Sequence, residues 1–192
     1  MGNILKFPVI ICLVALLCTA CQGKSPQKSY GYFRIALPDT AYSDCELQGY
    51  PYAFRLSGNA RVKEHARQGE KYWIDIEYPA LNATIYCSYK PVNNNLRALA
   101  YDMQEFLFSH SSVASAIPVQ EFANPDNNVW GLYFELHGNT ASPMQFILTD
   151  STQHFFRAAV YANCVPNADS LAPVYDYLRE DVRVMMETMR WR

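Results

Sequence analysis

The sequence predicts an α+β domain: a central antiparallel sheet with a helix inserted midway and another at the C-terminus. Three observations carry this. First, the stretch 138–157, GNTASPMQFILTDSTQHFFR, holds two apolar runs, one over 144–149 and one from His154, parted by Asp150-Ser151-Thr152-Gln153. Runs rich in aromatic and β-branched residues between Asn, Asp, Ser and Gly clusters are strands joined by hairpins, and the run 129–136 completes a three-strand meander. Second, Tyr72, Ile74, Ile76 and Tyr78 alternate with Trp73, Asp75 and Glu77, the period of a half-buried strand. Third, two later stretches repeat apolar residues at helical spacing.

In chain order, residues 1–20 read as a lipoprotein signal peptide: Lys6 supplies the positive region and residues 9–17 a short apolar core. Leu17-Cys18-Thr19-Ala20-Cys21 resembles a bacterial lipobox, with Cys18 where Leu is usual. That resemblance implies cleavage before Cys21 and acylation of its thiol and new amino group. An ordinary secretory signal with an accidental Cys is the alternative. Residues 21–29 are the lipidated Cys and a polar tether containing Gly23 and Pro26. Residues 30–192 are a single domain, which a chain of 192 residues, 50% of them hydrophobic, can build around one core. By resemblance to bacterial sorting signals, the absence of an Asp beside Cys21 and of an acidic run disfavours inner-membrane retention and surface export. The domain is therefore expected to face the periplasm from an outer-membrane anchor.

Residues 30–37 form a strand that Pro38-Asp39 ends, and 42–49 a polar loop carrying Cys45. Residues 50–56 are a further strand, with Pro51 at an edge or a strand start. Residues 61–69 are charged and unassigned. Pro79-Ala80-Leu81-Asn82 turns the alternating strand into its return over 83–89. Asn93-Asn94-Asn95 offers N-caps for a helix over 96–110, whose stripe is Leu96, Leu99, Met103, Phe106 and Leu107. In the meander, a loop of 150–153 sets Thr149 opposite His154, Ile147 opposite Phe156 and Phe146 opposite Arg157. Both faces then carry large apolar residues, so both are expected to be covered. Residues 166–170 cap the last helix, which buries Leu171, Val174, Tyr175, Leu178, Val182, Met185 and Met189. Pro173 is tolerable only in its first turn.

Composition excludes some chemistry. The net charge is −2 and the pI about 6.1, which leaves no basic field for nucleic acid. Once Cys12 and Cys18 leave with the signal and Cys21 is acylated, Cys45, Cys87 and Cys164 remain, allowing at most one disulfide. Ser142, Asp150, Ser151 and His154 are the residue types of a serine hydrolase, but no G-x-S-x-G surrounds either Ser, and Asp and Ser also form turns. His110, His137 and His154 lack metal-ligand spacing. No catalytic residue, metal or cofactor is therefore expected. Arg157, in an otherwise apolar strand, needs a partner, for which Asp150 and Glu135 are candidates. The polar set Asn139, Ser142, Gln145, Asp150, His154 and Arg157 is the candidate surface for a partner or ligand. The 14 Tyr residues suit either a binding surface or cross-strand pairs.

Linear segments carry a more specific resemblance. Tyr30-Gly31-Tyr32-Phe33-Arg34-Ile35, Ile85-Tyr86-Cys87-Ser88-Tyr89-Lys90 with Asn95-Leu96, residues 138–157, and Pro166-Asn167-Ala168-Asp169-Ser170-Leu171-Ala172-Pro173-Val174 together resemble the gliding motility lipoprotein GldD family of Bacteroidetes. Thr140, Phe156, Ala158 and Cys87 depart from that family's usual residues. The order of elements resembles the layout of PsbP and Mog1-like domains. The family resemblance implies an accessory or assembly lipoprotein of the type IX secretion and gliding machinery. Its implied partners are other envelope lipoproteins of that system, and it implies no known enzymatic activity. A periplasmic module binding glycan or lipid, and an unrecognised hydrolase, remain as alternatives.

The lipobox has a direct test. Cys21→Ala is expected to leave an unlipidated precursor; unchanged mass and membrane fractionation would show that Cys21 is not the acylated N-terminus.

Overall fold

The structure, a computed structural model, describes residues 36–65, 69–109 and 114–192, and these belong to one compact unit, Arg34–Arg192. The expected signal, Cys21, the tether, His110 and the side chain of Phe106 lie outside the described residues. So does most of the strand expected over 30–37; its described end, Ala36 and Leu37, belongs to no regular element.

The strands are β1 (Tyr42–Cys45), β2 (Tyr52–Ser57), β3 (Arg61–Glu64), β4 (Ile74–Tyr78), β5 (Ala83–Pro91), β6 (Val119–Asn124), β7 (Val129–Glu135), β8 (Met144–Thr149), β9 (His154–Ala162) and β10 (Arg190–Trp191). Helix α1 is Leu96–Ser109 and helix α2 is Ala168–Glu187. A seven-stranded sheet runs β3-β4-β5-β9-β8-β7-β6, and a three-stranded sheet runs β1-β2-β10. Every pairing is antiparallel. This is the expected α+β class, with its helices where the sequence places them.

Alternation decides which residues meet which layer. On one face of the large sheet, Met144, Phe146 and Leu148 of β8 join Phe156, Ala158 and Val160 of β9. Val174, Leu178, Val182 and Met185 of α2 cover them, together with Tyr52, Phe54 and Leu56 of the small sheet. Tyr52 meets Phe156 edge-on at 4.9 Å. On the other face, Leu99, Met103 and Leu107 of α1 pack with Phe134, Leu136, Ile147 and Phe155. The meander is thus covered on both faces, as its apolar content requires. Gly131 in β7 is also fixed by packing, since a Cβ there would lie 2.0 Å from the Ile147 carbonyl oxygen.

The β8–β9 register differs from the expected one by a residue: Thr149 pairs with Phe155, Ile147 with Arg157 and Phe146 with Ala158. Asp150 is the cause. Its Oδ1 accepts the backbone N–H groups of Thr152 at 3.0 Å, Gln153 at 2.8 Å and His154 at 2.8 Å, while Oδ2 accepts the Thr152 hydroxyl at 2.8 Å. Ser151 takes the left-handed conformation, φ 68°, and donates its N–H to Thr149 Oγ1. His154 therefore pairs only with Pro91 of β5, and the first β8–β9 ladder pair moves out to Phe155.

Other departures have local causes. The expected loop over 42–49 contains β1, a strand held by its ladder to β2 and by Tyr42, whose hydroxyl donates to the buried Asp181 of α2 at 2.5 Å. The unassigned segment supplies β3, a charged edge strand whose Lys63 pairs with Glu77 at 2.6 Å. Tyr72 does not continue the β4 alternation: at φ 65° it turns out of the strand, its carbonyl accepts the Tyr52 hydroxyl at 2.6 Å, and its ring sits between Tyr50 and Tyr89. Pro173 lies beyond the first turn of α2, on an exposed side of the helix, where it removes the donor to the Asp169 carbonyl. Cys45, Cys87 and Cys164 are all free thiols.

Asp150 gives this fold a signed pH dependence. Burial opposes its ionisation, but the N–H groups of Gln153 and His154 and both donors of Thr152 outweigh that and hold the carboxyl at about 2. A depressed carboxyl stabilises the fold above its unfolded value of 3.8 and loses that contribution as pH falls toward 2. Urea titrations should show Asp150→Ala less stable than the parent by about 2 kcal/mol at neutral pH, with the gap closing through that acidic window. A gap that is flat with pH would remove the carboxylate from this role. Leu178, fully buried at 0% exposure, should cost roughly 2–5 kcal/mol on truncation to Ala; a loss within error would place it outside the core.

Candidate functional site

The expected polar surface does not form one patch. Its residues divide among the two ends of the sheet and the face that α1 partly covers.

At one end, Asn139 and Ser142 serve the β7–β8 connection. Asn139 is exposed, and its Oδ1 accepts the N–H of Ala168 at 2.9 Å, satisfying a donor in the first turn of α2. Ser142 is 1% exposed and donates to the Met144 carbonyl at 3.5 Å. Neither side chain bonds to the other four expected residues.

At the opposite end, Asp150 is buried and occupied by its own loop, so of this pair His154 alone offers a partly open side chain. Tyr89 Oη lies 2.8 Å from His154 Nδ1. The imidazole stacks on Trp191 of β10, with centroids 4.9 Å apart and planes 4° from parallel. Burial lowers its pKa, against the opposing pull of Asp150, so the neutral ring is favoured. The rings of Tyr50, Tyr72 and Tyr89 continue this cluster. Ser142 and His154 share no hydrogen bond, and each has a structural partner instead. Among the described residues, no group of His, Cys, Asp and Glu could hold a metal ion.

In the middle of the sheet, Gln145 and Arg157 meet. The sequence offers Asp150 or Glu135 as the arginine's partner, but Asp150 is turned into its loop and Glu135 pairs with Arg179 of α2 at 2.6 Å. Arg157 Nη2 donates to Gln145 Oε1 at 3.1 Å. Gln145 is 0% exposed, and among the described residues its Nε2 has no hydrogen-bond partner. Burial lowers the Arg157 pKa while Tyr161 supports the cation.

Arg157 opens onto a groove of about 440 Å³ where α1 no longer covers the sheet. The sequence-based set misses the rest of its lining. Trp73 and Asp75 come from the β4 side, Tyr86 and Ser88 from β5, and Tyr161 from β9. The ladders bring them together: Asp75 pairs with Tyr86, and Ser88 pairs with Arg157. Tyr86 is 44% exposed and meets Tyr161 edge-on at 5.5 Å. Trp73 is fixed by a bond from Nε1 to the Tyr89 carbonyl at 3.1 Å. Asp75 Oδ2 lies 3.0 Å from His65 Nδ1. The available signal was the polar side of β4: Trp73, Asp75 and Glu77 face away from the core that Ile74, Ile76 and Tyr78 enter.

Known proteins agree with this architecture. No curated protein matches the chain. The solution structure of cyanobacterial PsbP (CyanoP) from Synechocystis sp. PCC 6803 has a similar fold, with a TM-score of 0.51 over 87% of this chain and 99% of that one. At 7% identity the likeness concerns the fold alone, and it bears out the expected PsbP-like layout. The family model of the gliding motility lipoprotein GldD matches residues 22–191, from the residue after Cys21 through β10. The chain belongs to the gliding motility lipoprotein GldD family.

Proposed function

We propose that this chain is a periplasm-facing lipoprotein, anchored through Cys21 in the outer membrane, that acts as an accessory or assembly factor of the type IX secretion and gliding machinery. The family match over 22–191 is the observation that carries this, because it takes in the tether and the whole described domain together. A family of gliding motility lipoproteins belongs to the envelope and associates with a motility apparatus. The partners are other lipoproteins of that apparatus, and the domain works by binding them. The site residues support binding over hydrolysis: the Ser142 hydroxyl is bonded to the Met144 carbonyl, Asp150 to backbone N–H groups of its own loop, and the His154 ring to Tyr89.

Of the six expected contact residues, His154 is the one best suited to test this reading. It is half-buried in a ring cluster that reaches exposed Tyr72 through Tyr89, an aromatic end of the kind interfaces favour. Asn139 is a poorer probe, since its loss also removes a donor's partner at α2. His154→Ala, in chemically crosslinked pull-downs from intact envelopes, should lower recovery of gliding and secretion lipoproteins and reduce secretion, with the thermal unfolding transition retained. A folded variant that recovers the same partners and secretes like the parent would move the contact elsewhere. A parent protein that captures none of those lipoproteins would overturn the assembly role itself.

A further inference from the structure

The large sheet has an open edge at β6. The Glu135 N–H donates to the Pro118 carbonyl, and Val119 is paired with Phe134. Antiparallel ladders alternate, so Gln120, Phe122 and Asn124 bond inward to β7. The backbone groups of Val119, Glu121 and Ala123 then point out of the sheet, and all three residues are exposed. Its six residues make β6 the longest edge strand among the described residues; β1 and β3 have four each and β10 has two. Charges at Arg61, Lys63 and Glu64 blunt β3, whereas β6 carries Glu121 alone. Beside this edge, Phe122 and Tyr133 of the sheet and Val182 and Met186 of α2 line a groove of about 210 Å³. The arginines there are neutralised: Arg179 pairs with Glu135 and Asp176, and Arg183 with Glu180 and Glu187. Glu121, which is exposed, has no such partner among the described residues.

We propose that the β6 edge accepts an extended segment of a partner protein as an added antiparallel strand, with a Lys or Arg opposite Glu121 and an apolar side chain on either side of it entering the groove. The three outward residues offer the backbone donors and acceptors that such a strand needs. Side chains of directly paired residues share a face of the sheet, and their neighbours take the other. The residue opposite Glu121 therefore meets the carboxylate, and its two neighbours fall on the face of Phe122 and α2. Opposite charges paired across strands favour the added strand, and like charges oppose it.

The same features disfavour other occupants. The groove is smaller than the roughly 300–1,000 Å³ of small-molecule sites, and suits side chains better than a whole ligand. A second copy of this chain fits the edge less well. Antiparallel pairing through all three outward residues would set two Glu121 carboxylates opposite each other. The assignment does not depend on the export role proposed above, and its test reads binding alone.

Isothermal titration of the full chain, purified in detergent, with the end-capped peptide Thr-Leu-Lys-Leu-Thr as probe would test it. The peptide should bind with a Kd below about 1 mM. Replacing its Lys by Glu should weaken binding roughly fivefold, and Glu121→Lys should reverse that order. Methylating the backbone nitrogen of the peptide's Lys removes the donor to the Glu121 carbonyl, and should weaken binding about tenfold. Ala123→Pro removes an outward N–H, spares the ladder to β7, and should weaken binding of the unmodified peptide by a similar factor. Glu121→Lys alters an exposed side chain and remains informative if Ala123→Pro does not fold. Absence of binding heat at about 1 mM peptide overturns the proposal. So does binding that N-methylation leaves unchanged, which would mark a plain apolar contact. A parent dimer in sedimentation that Ala123→Pro dissolves would give the edge to a second copy, and overturns it too.

Discussion

The fold depends on covering β8 and β9, which carry apolar residues on both faces. A strand of that composition has no solvated side and must be sandwiched. One side receives α2 and the small sheet, packed on Phe146, Leu148, Phe156 and Val160. The other receives α1, packed on Ile147 and Phe155. On the face that α1 covers, the residues change from Ile147 and Phe155 to Arg157 along β9, and then to Ser88 and Tyr86 of β5. The groove begins at that change, so its position follows from where apolar cover stops being needed.

Two buried acids show how differently one fold treats the same side chain. Asp150 is surrounded by donors and stays ionised, so it strengthens the fold above the unfolded carboxyl value. Asp181 lies on the buried face of α2 at 2% exposure, and burial raises its pKa despite the hydroxyls of Tyr42 and Tyr78. A raised carboxyl contributes its stability below the unfolded value and loses it as pH rises through the folded one. Asp181 therefore costs stability near neutrality. What it secures is position: its bond to Tyr42 joins β1 to the long helix.

Elements with strong periodicity were legible in the sequence, including β4 through Ile74, Ile76 and Tyr78, and α2 through Val174, Leu178, Val182 and Met185. β1 was not, because a polar four-residue strand takes its conformation from its partner. β10 has two residues, too few for any period. The β8–β9 register turned on a side chain: Asp150 binds N–H groups as far as His154 and lengthens the loop by one residue. The candidate site was legible in its residue types and illegible in their grouping. Asn139 serves a helix terminus 29 positions downstream, and Arg157 bonds to the Gln145 amide, a partner the sequence reading did not name. Trp73, Asp75, Tyr86 and Tyr161 meet only once three strands are placed in register.

The small sheet joins the first and last strands of the described domain around β2, with β1 and β10 on either side of it. If the anchor proposed at Cys21 holds the domain, that arrangement has a mechanical meaning. Tension applied ahead of β1 would enter at β1, whose ladder to β2 spans four residue pairs. The cross-ties run further: Arg55 Nη2 donates to the Tyr42 carbonyl, Arg190 reaches Asp44, and Tyr42 reaches Asp181. Load entering there would pass through these ties into α2 and the core before reaching the aromatic groove on the far face of the large sheet.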